Sequence, residues 1–437
     1  MIIDTKKDFD LLHTKTKQYP FLFFPIYEQG KKFHISNSTV MCGCFYFGHD
    51  QTFYLVNKTH PDAVPFEFYF LLNTDQMIFV NSKREHLYKF EQRQVTDILS
   101  LQYVNNKELI YLDEFETFSH KHYKHMFRNA GGEIGKIIPI VKWHEMGKNY
   151  SEAVWDTTTL PMERDYAFYS YLVVPTLQEI ETAGLFVDIE KLHARFPSAD
   201  SYNNFVYTEY YPFTTTGRPS NAFGGINYAA LNKSDGSREI FISRFGDSGC
   251  LLNFDFDAYH IRLLANHLNI PIDESSVHTY LAKQYYQTND ITEEMYAESK
   301  QLTFAILYGR GQDLTDAPEL LRVIKKYENE LWELYQNNGH IKAPLSGRKI
   351  YVPDASPSKV FNYFTQALES ETTISKLCKL HRRLRGFRSK IVLFVYDSIL
   401  MDCLEEELEA IEDIVREVLE DGGFPVKVSK GANYNEI

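Results

Sequence analysis

The chain has 437 residues, of which 44% are hydrophobic and 24% are charged, and its formal net charge is −13. This composition is typical of a globular protein, and the length is enough for two to four domains. An excess of acids counts against a nucleic-acid-binding protein, although a local basic stripe matters more than the total charge. The clearest such stripe is HRRLRGFRSK at 381–390, for which the solvated end of a helix is an equally good interpretation.

No apolar stretch is long enough to span a bilayer, and the opening MIIDTKKDFDLLHTKTKQ lacks the apolar segment of a secretory signal. The five cysteines form no CxxC pair and no metal-ligand spacing with histidine. This pattern predicts reduced thiols and a cytoplasmic protein with no membrane partner. If the protein is viral, the compartment would be the cytoplasm of the host cell.

The first 160 residues alternate short apolar runs with turns. Val, Phe and Tyr at a near period of two favour strands. The predicted strands are FLFFPIY (21–27), TVMCGCFYF (39–47), TFYLVN (52–57), FEFYFLL (66–72) and MIFVNS (77–82). Helical stretches lie between and after them, so a mixed α/β domain is expected here.

The rest of the chain is predicted to alternate helices with strands. A helix that begins near residue 163 should end at Gly184, and the region 193–216 has no helical period. The later predicted elements are a strand at 251–257, a helix at 259–268, a strand–turn–strand unit at 390–404 and a last strand after the turn residues at 421–423.

Lys300, Phe304 and Tyr308 recur at intervals of four residues in SKQLTFAILYGRG (299–311). Four residues are about one helical turn, so a helix would place the three side chains on one face. A cation, an aromatic plane and a phenol in one row suit a nucleotide, because the cation can bind phosphates and the rings can contact sugar and base. This segment alone leaves open an amphipathic helix with buried aromatic residues and a solvated lysine.

Two aspartates adjoin apolar strands. Asp255 follows LLNF, and Asp397 lies between two apolar runs in VLFVYDSILMDC. Two strands that each present a carboxylate can hold two divalent cations, and oxygen ligands suit Mg²⁺. A pair of ions about 3.5–4 Å apart activates an attacking hydroxyl and stabilises the leaving oxygen. Either aspartate taken singly could instead cap a turn.

In chain order, these segments resemble the family A DNA polymerases, the DNA polymerase I-like group. Three segments are most similar to the family patterns: DFDAYHIRLLA (255–265) to DYSxIELRxLA, YAESKQLTFAILYG (296–309) to RxxxKxxNFGxxYG, and VYDS (395–398) to VHDE. Weaker similarities relate TTTGRPS (214–220) to TGRLSS, Asn227 to NLQNIP, SVH (276–278) to DIH, SGRKIYVPD (346–354) to GRRRYLPD, NYFTQALES (362–370) to NxPxQGxAAD and SKGANYNEI (429–437) to GxNWxEA. The resemblance extends from about residue 170 to residue 437.

The resemblance implies a template-directed DNA polymerase that adds deoxynucleotides from dNTPs to a primer 3′ end. Asp255, Asp397 and the Phe256 carbonyl would hold two Mg²⁺ ions. Lys300 would act in catalysis by neutralising charge on the incoming triphosphate, and His278 would contact a phosphate oxygen. Positioning and charge stabilisation of this kind account for most of the catalysis in phosphoryl transfer.

The same resemblance implies residues that contact the sugar and the DNA. Phe304 would pack on the deoxyribose, and Tyr308 would lie at the insertion site beneath the templating pair. Contacts with primer–template DNA, through its shape and minor groove, are implied for Arg218, Asn227, Arg348, Asn362 and Gln366.

The chain departs from the family patterns at several places. His260 replaces a Glu that resembles a gate against the ribose 2′-hydroxyl; His260 could fill the same space or simply pack, so the sugar selectivity stays open. Tyr296 replaces the first Arg of the finger helix, so one triphosphate contact is absent. Tyr396 and Ser398 replace the His and Glu of VHDE. We hypothesise that Asp257 restores part of the lost negative charge.

The expected fold class is mixed α/β (α+β), with a right-hand palm and fingers over residues 166–437 and the fingers at about 278–345. Only a short stretch separates VPTLQEIETAGLFVD (174–188) from TTTGRPS (214–220), whereas relatives have a long helical thumb there. A largely absent thumb predicts weak, salt-sensitive DNA affinity and the need for a processivity or replisome partner.

Residues 1–165 resemble, in position and strand pattern, an RNase H-like 3′–5′ exonuclease domain. Active members have DxE on the first strand, where this chain has Pro25 and Tyr27. Glu85 and Asp165 are the remaining candidate acids. A degenerate domain without proofreading is therefore expected, since two metal ions need the acids of the first strand.

Two other classes stay open. A single-subunit RNA polymerase or primase-like nucleotidyltransferase has Asp, Lys, Tyr and Asp at similar places. The missing gate Glu favours it, whereas Phe304 and the GxNWxEA-like end resemble the DNA polymerases. A catalytically inactive DNA-binding replisome protein is the other, although it would not need to retain Asp255, Lys300 and Asp397. The reduced set of domains is typical of a phage protein.

Overall fold

A computed structural model describes residues 1–27, 40–72, 76–83, 96–110, 139–199, 201–223, 225–272, 276–308, 314 and 317–437. The chain forms two compact units, Met1–Gln178 and Glu179–Ile437. Each unit contains helices and sheets, so the predicted mixed fold class is confirmed. The predicted domain boundary at 165/166 stays a prediction. Among the described residues, no helix is both long enough and apolar enough to cross a membrane.

The first unit is built on a five-stranded sheet. Its strands, in chain order, are Phe21–Tyr27, Val40–Phe47, Thr52–Asn57, Met77–Phe79 and Thr96–Asp97. Across the sheet they lie in the order third, second, first, fourth and fifth. The first three pair antiparallel and the last two pair parallel. Every residue of the strand Val40–Phe47 is buried, so this strand lies in the core of the unit.

Helices of the first unit precede and follow this sheet. They are Lys6–Gln18, Ile98–Val104, Ile140–Trp155 and Arg164–Phe168, with 3-10 turns at Tyr69–Leu72 and Asp156–Thr159. A π-helical turn, Tyr169–Val173, continues into the helix Val174–Ala183, within which the division between the units falls. This helix ends where predicted, because Gly184 adopts a φ of +63° that favours glycine.

The predicted strand at 66–72 is wrong. The segment is irregular and ends in the 3-10 turn Tyr69–Leu72. Its aromatic side chains are in the core without strand pairing: the fully buried Phe68 ring lies 5.9 Å from Phe45 and 6.2 Å from Phe23, centroid to centroid. Aromatic enrichment thus reflects burial here, which an irregular segment achieves as well as a strand.

The second unit is centred on a four-stranded antiparallel sheet, which we call the palm sheet. From one edge to the other its strands are Lys390–Val395, Ser398–Leu404, Gly249–Phe256 and Val426–Gly431. The strand–turn–strand unit at 390–404 and the strands predicted before and after it are therefore confirmed.

Strand register places three side chains in one row on the palm sheet. Asp255 is opposite Ser398 on one side and opposite Lys427 on the other. Directly opposite residues of antiparallel strands share a face, so these side chains project together. Asp397 lies in the two-residue turn that joins the paired residues Val395 and Ser398, at the same end of the sheet.

Helices and short strands complete the second unit. The helices are Ile189–Arg195, Tyr259–His267, Val277–Tyr286, Glu293–Tyr308, Glu319–Asn338, Pro357–Arg383 and Leu408–Leu419, with 3-10 turns at Tyr228–Ala230, Gly246–Ser248 and Glu405–Glu407. The short strands are Leu185–Phe186 with Phe205–Val206, Tyr210–Tyr211 with Ser220–Phe223 and Ile226–Asn227, and Ile341–Lys342 with Lys349–Ile350.

A buried ion pair links the palm sheet to the chain around it. Asp402, of which 1% is exposed, accepts hydrogen bonds of 2.7 Å from Arg244 Nε and from Ser243 Oγ. Arg244 also donates to the carbonyl oxygens of Ala183 and Gly184, at 3.1 and 2.8 Å. The carboxylate is therefore fully partnered, which compensates for its burial.

Asp402→Ala should lower the free energy of unfolding by about 3–5 kcal/mol, because the Arg244 guanidinium would stay largely buried without its counter-ion. Denaturant unfolding followed by circular dichroism measures this change. The matched control is Glu417→Ala, which breaks the exposed Arg383–Glu417 pair at 2.6 Å and should leave the unfolding midpoint nearly unchanged. Equal midpoints for the two variants would contradict the prediction.

Candidate active site

Asp255 and Asp397 meet at one end of the palm sheet. The Phe256 backbone N–H donates to the Asp397 carbonyl oxygen at 3.3 Å, which holds the strand end against the turn. Burial, and after it the charge of Asp397, raises the pKa of Asp255 to about 6. Burial, and after it the charge of Glu369, raises the pKa of Asp397. A bound cation would relieve the electrostatic cost of ionising both groups.

The oxygen-only character of this pair fits a hard divalent cation such as Mg²⁺. Within the described ranges, no group of three or more His, Cys, Asp and Glu residues could hold a metal ion. The candidate protein ligands are thus two carboxylates, with the Phe256 carbonyl as the predicted third. Such a sparse set suits an ion that keeps several waters and takes further ligands from substrate phosphates.

Asp257 is already engaged by two cations. Lys427 Nζ lies 2.5 Å from its Oδ1, and Arg262 Nη2 lies 3.8 Å from its Oδ2. Arg262 Nε also donates to the Asp257 carbonyl oxygen at 3.2 Å. The hypothesis that Asp257 replaces the missing second carboxylate stays a prediction. Ser398, at the position of that carboxylate, donates to Asn253 Oδ1 at 2.6 Å.

The turn that carries Asp397 has an unusual backbone. Tyr396 adopts a φ of +59°, which is rare for a bulky residue and costs conformational energy. Its ring lies beneath the Arg218 guanidinium, whose Cζ is 3.7 Å from the ring centroid. Cation–π contacts of this kind stabilise by about 0.5–1 kcal/mol at exposed sites. Arg218 therefore helps to hold the turn.

Glu369 is a site residue absent from the prediction. Its side chain, on the helix Pro357–Arg383, is 3% exposed, and its Oε2 lies 3.3 Å from Arg218 Nε and 3.4 Å from His260 Nε2. The only signal in the sequence is in NYFTQALES, where Glu369 stands in place of an Ala of the pattern NxPxQGxAAD. The family pattern has a Glu at position 260, where this chain has His260. Glu369, from another helix, brings a carboxylate next to that histidine.

Neighbouring acidic side chains bind the basic ones, which leaves the carboxylates of Asp255 and Asp397 open. Glu369 contacts Arg218 and His260, and Asp257 forms an ion pair with Lys427. Among the described residues, no side-chain cation lies within ion-pair distance of Asp255 or Asp397. These neighbouring pairs therefore keep basic side chains from forming ion pairs with Asp255 and Asp397.

The predicted finger helix forms as Glu293–Tyr308. Lys300 is exposed and Phe304 is 42% exposed, so the alternative of a buried aromatic row is wrong for Phe304. The His278 ring lies 5.9 Å from the rings of both Phe304 and Tyr296. Burial, and after it the charge of Lys300, lowers the pKa of His278. The position of the Tyr308 side chain lies outside the described part.

The residues predicted to contact DNA differ in exposure. Asn227 is exposed at the end of a short strand, and Asn362 and Gln366 are half-buried one turn apart on the helix that carries Glu369. Arg348 is buried and donates to the carbonyl oxygens of Thr215 and Lys349 at 2.8 and 3.2 Å. Arg348 thus supports the loop before Arg218, and its direct contact with DNA stays a prediction.

Known proteins resemble the chain at low identity. It is 25% identical over 227 residues to a DNA polymerase of Bacillus phage SP01, covering 43% of this chain and 24% of the relative. It is 22% identical over 351 residues to DNA polymerase I of Caldicellulosiruptor bescii, covering 68% and 39%. DNA polymerase I of Lactococcus lactis subsp. lactis is 23% identical over 274 residues, covering 52% and 30%. The resemblance to the family A DNA polymerases is confirmed.

The chain spans about a quarter to two fifths of the length of these curated relatives. No family model matches it. Among solved structures, the POL domain of Pol1 from M. smegmatis, in complex with DNA primer-template and dNTP, matches over 100% of both chains with a TM-score of 0.72 and 14% identity. The fold is therefore that of this POL domain, and the palm sheet is the part of the chain that carries the carboxylate pair.

Asp255→Asn should stabilise the metal-free protein at pH 8. Because the folded-state pKa of Asp255 is raised to about 6, the stability associated with its protonated form is lost as the pH rises through that value. The gain should be about 1–2 kcal/mol, after a discount for solvent screening at this partly exposed site. It should shrink toward pH 4, where the native carboxyl is protonated.

Denaturant unfolding with EDTA at the two pH values measures this gain. Asp413→Asn, at an exposed position, is the matched control and should show no such pH-dependent difference. A loss of stability in Asp255→Asn at pH 8 would refute the assignment of Asp255 as a destabilising, metal-ready carboxylate.

Proposed function

We propose that this chain is a template-directed DNA polymerase that extends a primer by two-metal nucleotidyl transfer. The observation that carries the proposal is the pair of mutually close, partly buried carboxylates at Asp255 and Asp397, whose pKa values are both raised. The relatives are DNA polymerases, and the structural neighbour is a complex with DNA primer-template and dNTP; both support the same reaction.

In this proposal, Asp255, Asp397 and the Phe256 carbonyl would hold Mg²⁺. The ions would lower the pKa of the primer 3′-hydroxyl and neutralise charge on the phosphates. The hydroxyl oxygen would attack the α-phosphorus, and pyrophosphate would leave. Lys300 and His278 would bind the triphosphate; the exposed lysine and the nearby imidazole are consistent with that role.

The nucleotide would lie between the palm sheet and the finger helix. Phe304 offers an exposed aromatic plane for the deoxyribose, and Tyr308 ends the same helix one turn later. His260 would border the sugar from the palm side, where Glu369 orients it at 3.4 Å. The exclusion of ribose would then depend on His260 and Phe304 together.

Arg218, Asn227, Asn362 and Gln366 would contact the primer–template by its minor groove and backbone. Arg218 is the best supported of these, because its guanidinium lies on the turn that carries Asp397. Arg348 would act through the loop that it supports. Contacts of this kind do not depend on the DNA sequence. In a copying enzyme, base pairing with the template selects the nucleotide instead.

We also propose that residues 1–165 form a degenerate exonuclease-like domain. Pro25 lies in the strand Phe21–Tyr27, where active members have an acid. Asp165 lies in the helix Arg164–Phe168, and Glu85 is outside the described residues. Without a pair of acids on the first strand, two metal ions would lack their ligands, so no proofreading is proposed.

A reduced thumb is proposed for the short stretch between VPTLQEIETAGLFVD (174–188) and TTTGRPS (214–220). In the described part of this stretch, the α-helix is Ile189–Arg195, with seven residues, which is too short for a long helical thumb. A polymerase with so little surface to grip duplex phosphates would need a processivity or replisome partner. The free thiols of Cys42, Cys44, Cys250, Cys378 and Cys403 support a cytoplasmic site of action, in the host cell for a phage protein.

The purified chain should extend a primer with dNTPs, and Asp397→Asn should lower the rate by at least about 10²–10³-fold, because one metal-binding carboxylate is removed. Primer extension resolved by gel electrophoresis measures the rate. Asp413→Asn, an exposed carboxylate elsewhere in the second unit, should behave as wild type. An rNTP series on the same template tests the RNA polymerase alternative, which His260 keeps open. Failure of wild type to extend any primer would indicate an inactive replisome protein instead.

Synthesis without a partner should be distributive. On a singly primed template at physiological salt, products should lengthen by short steps, and added salt should shorten them further because phosphate contacts are screened. An excess of unlabelled trap DNA distinguishes one binding event from many. Long products from a single binding event would contradict the proposed loss of the thumb.

A further inference from the structure

Lys427 stands beside the carboxylate pair on the palm sheet. It lies directly opposite Asp255 on the edge strand Val426–Gly431, so its side chain projects from the same face as the Asp255 carboxylate. Its side chain is 70% exposed. A cation is therefore available to solvent in the same row as a predicted metal ligand.

Asp257 orients the Lys427 ammonium but accepts only one of its hydrogen bonds. Lys427 Nζ donates to Asp257 Oδ1 at 2.5 Å, and Asp257 is itself held by the buried Arg262, whose Nε donates to the Asp257 carbonyl oxygen at 3.2 Å. A lysine ammonium has three donors. The described residues accept one of these three, so two donors are directed toward solvent at the mouth of the site.

Charge effects also link Lys427 to side chains of the predicted fingers. After the Asp257 contacts, which dominate, the charges of Tyr296 and Asp255 raise the pKa of Lys427. Burial and then the charge of Lys300 lower the pKa of His278; the charge of Asp257 raises it, and the charge of Lys427 lowers it by a smaller amount. Lys427 and Lys300 thus act on the same imidazole, and a polyanion beside that imidazole would meet both cations.

The finger helix has a phenol, that of Tyr296, where the pattern of the family that it resembles has an Arg. Tyr296 lies 5.9 Å from His278, ring to ring, and a tyrosine cannot neutralise a phosphate charge at neutral pH. The positive charge that this position lacks is present on Lys427, across the site. We propose that Lys427 binds the triphosphate of the incoming nucleotide, in the place of the cation that the finger helix does not provide.

This inference depends on the proposed polymerase function and specifies which side chain binds the phosphates. A purely structural role is a weak alternative, since exposed ion pairs such as Lys427–Asp257 stabilise by about 0–1 kcal/mol. A charge-assisted hydrogen bond to phosphate, in contrast, corresponds to an effect on binding of about 10- to 100-fold. The two roles therefore predict different measurements.

Single-nucleotide insertion on a primed template tests the role of Lys427. Lys427→Gln should raise the KM for dNTP by about 10- to 100-fold, with kcat changed far less, and Lys427→Arg should keep most of the affinity. Lys430→Gln is the matched control, because Lys430 lies on the same strand, is half-exposed and pairs with Glu405 at 3.2 Å. It should leave the KM at the wild-type value.

A double variant tests whether a cation at position 296 can replace the cation of Lys427. Adding Tyr296→Arg to Lys427→Gln should restore a low KM, because it returns a cation to the finger helix. An unchanged KM in Lys427→Gln, in an assay where wild type extends the primer, would overturn the inference and leave the polymerase function intact.

Binding of Mg²⁺-tripolyphosphate, measured by calorimetry without DNA, separates the inference from the proposed function. Wild type should bind it more tightly than Lys427→Gln even if no primer is extended. If the two proteins bind it equally and Lys430→Gln does the same, the assignment of Lys427 as a phosphate ligand is wrong.

Discussion

The site depends on the register of the strand Gly249–Phe256 with its two neighbours. This register places Asp255 in one row with Lys427 and brings the hairpin turn with Asp397 to the same end of the sheet. Side chains alternate between faces with a period of two, so a slip of one residue would turn Asp255 toward the core. The fully buried Phe254, on the opposite face, opposes such a slip. Apolar packing therefore holds the carboxylates where the chemistry needs them.

Charge is distributed around this row so that the carboxylate pair stays open. The buried Glu369 lies 3.3 Å from Arg218 and 3.4 Å from His260, and Asp257 pairs with Lys427 at 2.5 Å. If Arg218 or Lys427 paired with Asp255 or Asp397 instead, a metal ion would have to displace it. Keeping two close carboxylates without counter-ions costs stability, which is the usual relation between a binding site and the fold that carries it.

Much of the second unit could be predicted from local pattern. Apolar runs flanked by turn residues predicted the strands around Asp255 and Asp397, and the four-residue spacing predicted the helix of Lys300. The pattern predicted a strand wrongly at the irregular segment 66–72, because side chains there are buried although the backbone does not pair in a sheet. It also could not indicate that the Arg348 guanidinium is buried, since its partners are the carbonyl oxygens of segments remote in sequence.

The sequence by itself indicated the resemblance to the family A DNA polymerases, the two candidate metal-binding aspartates and the finger helix, because those features are encoded in short segments with a definite order and spacing. Only the tertiary structure decided which charges neutralise one another. Glu369 meets His260 across 109 residues of chain, and Lys427 meets Asp257 across 170. Electrostatic partners are set by distance in space, and strand register and helix packing, rather than local composition, determine that distance.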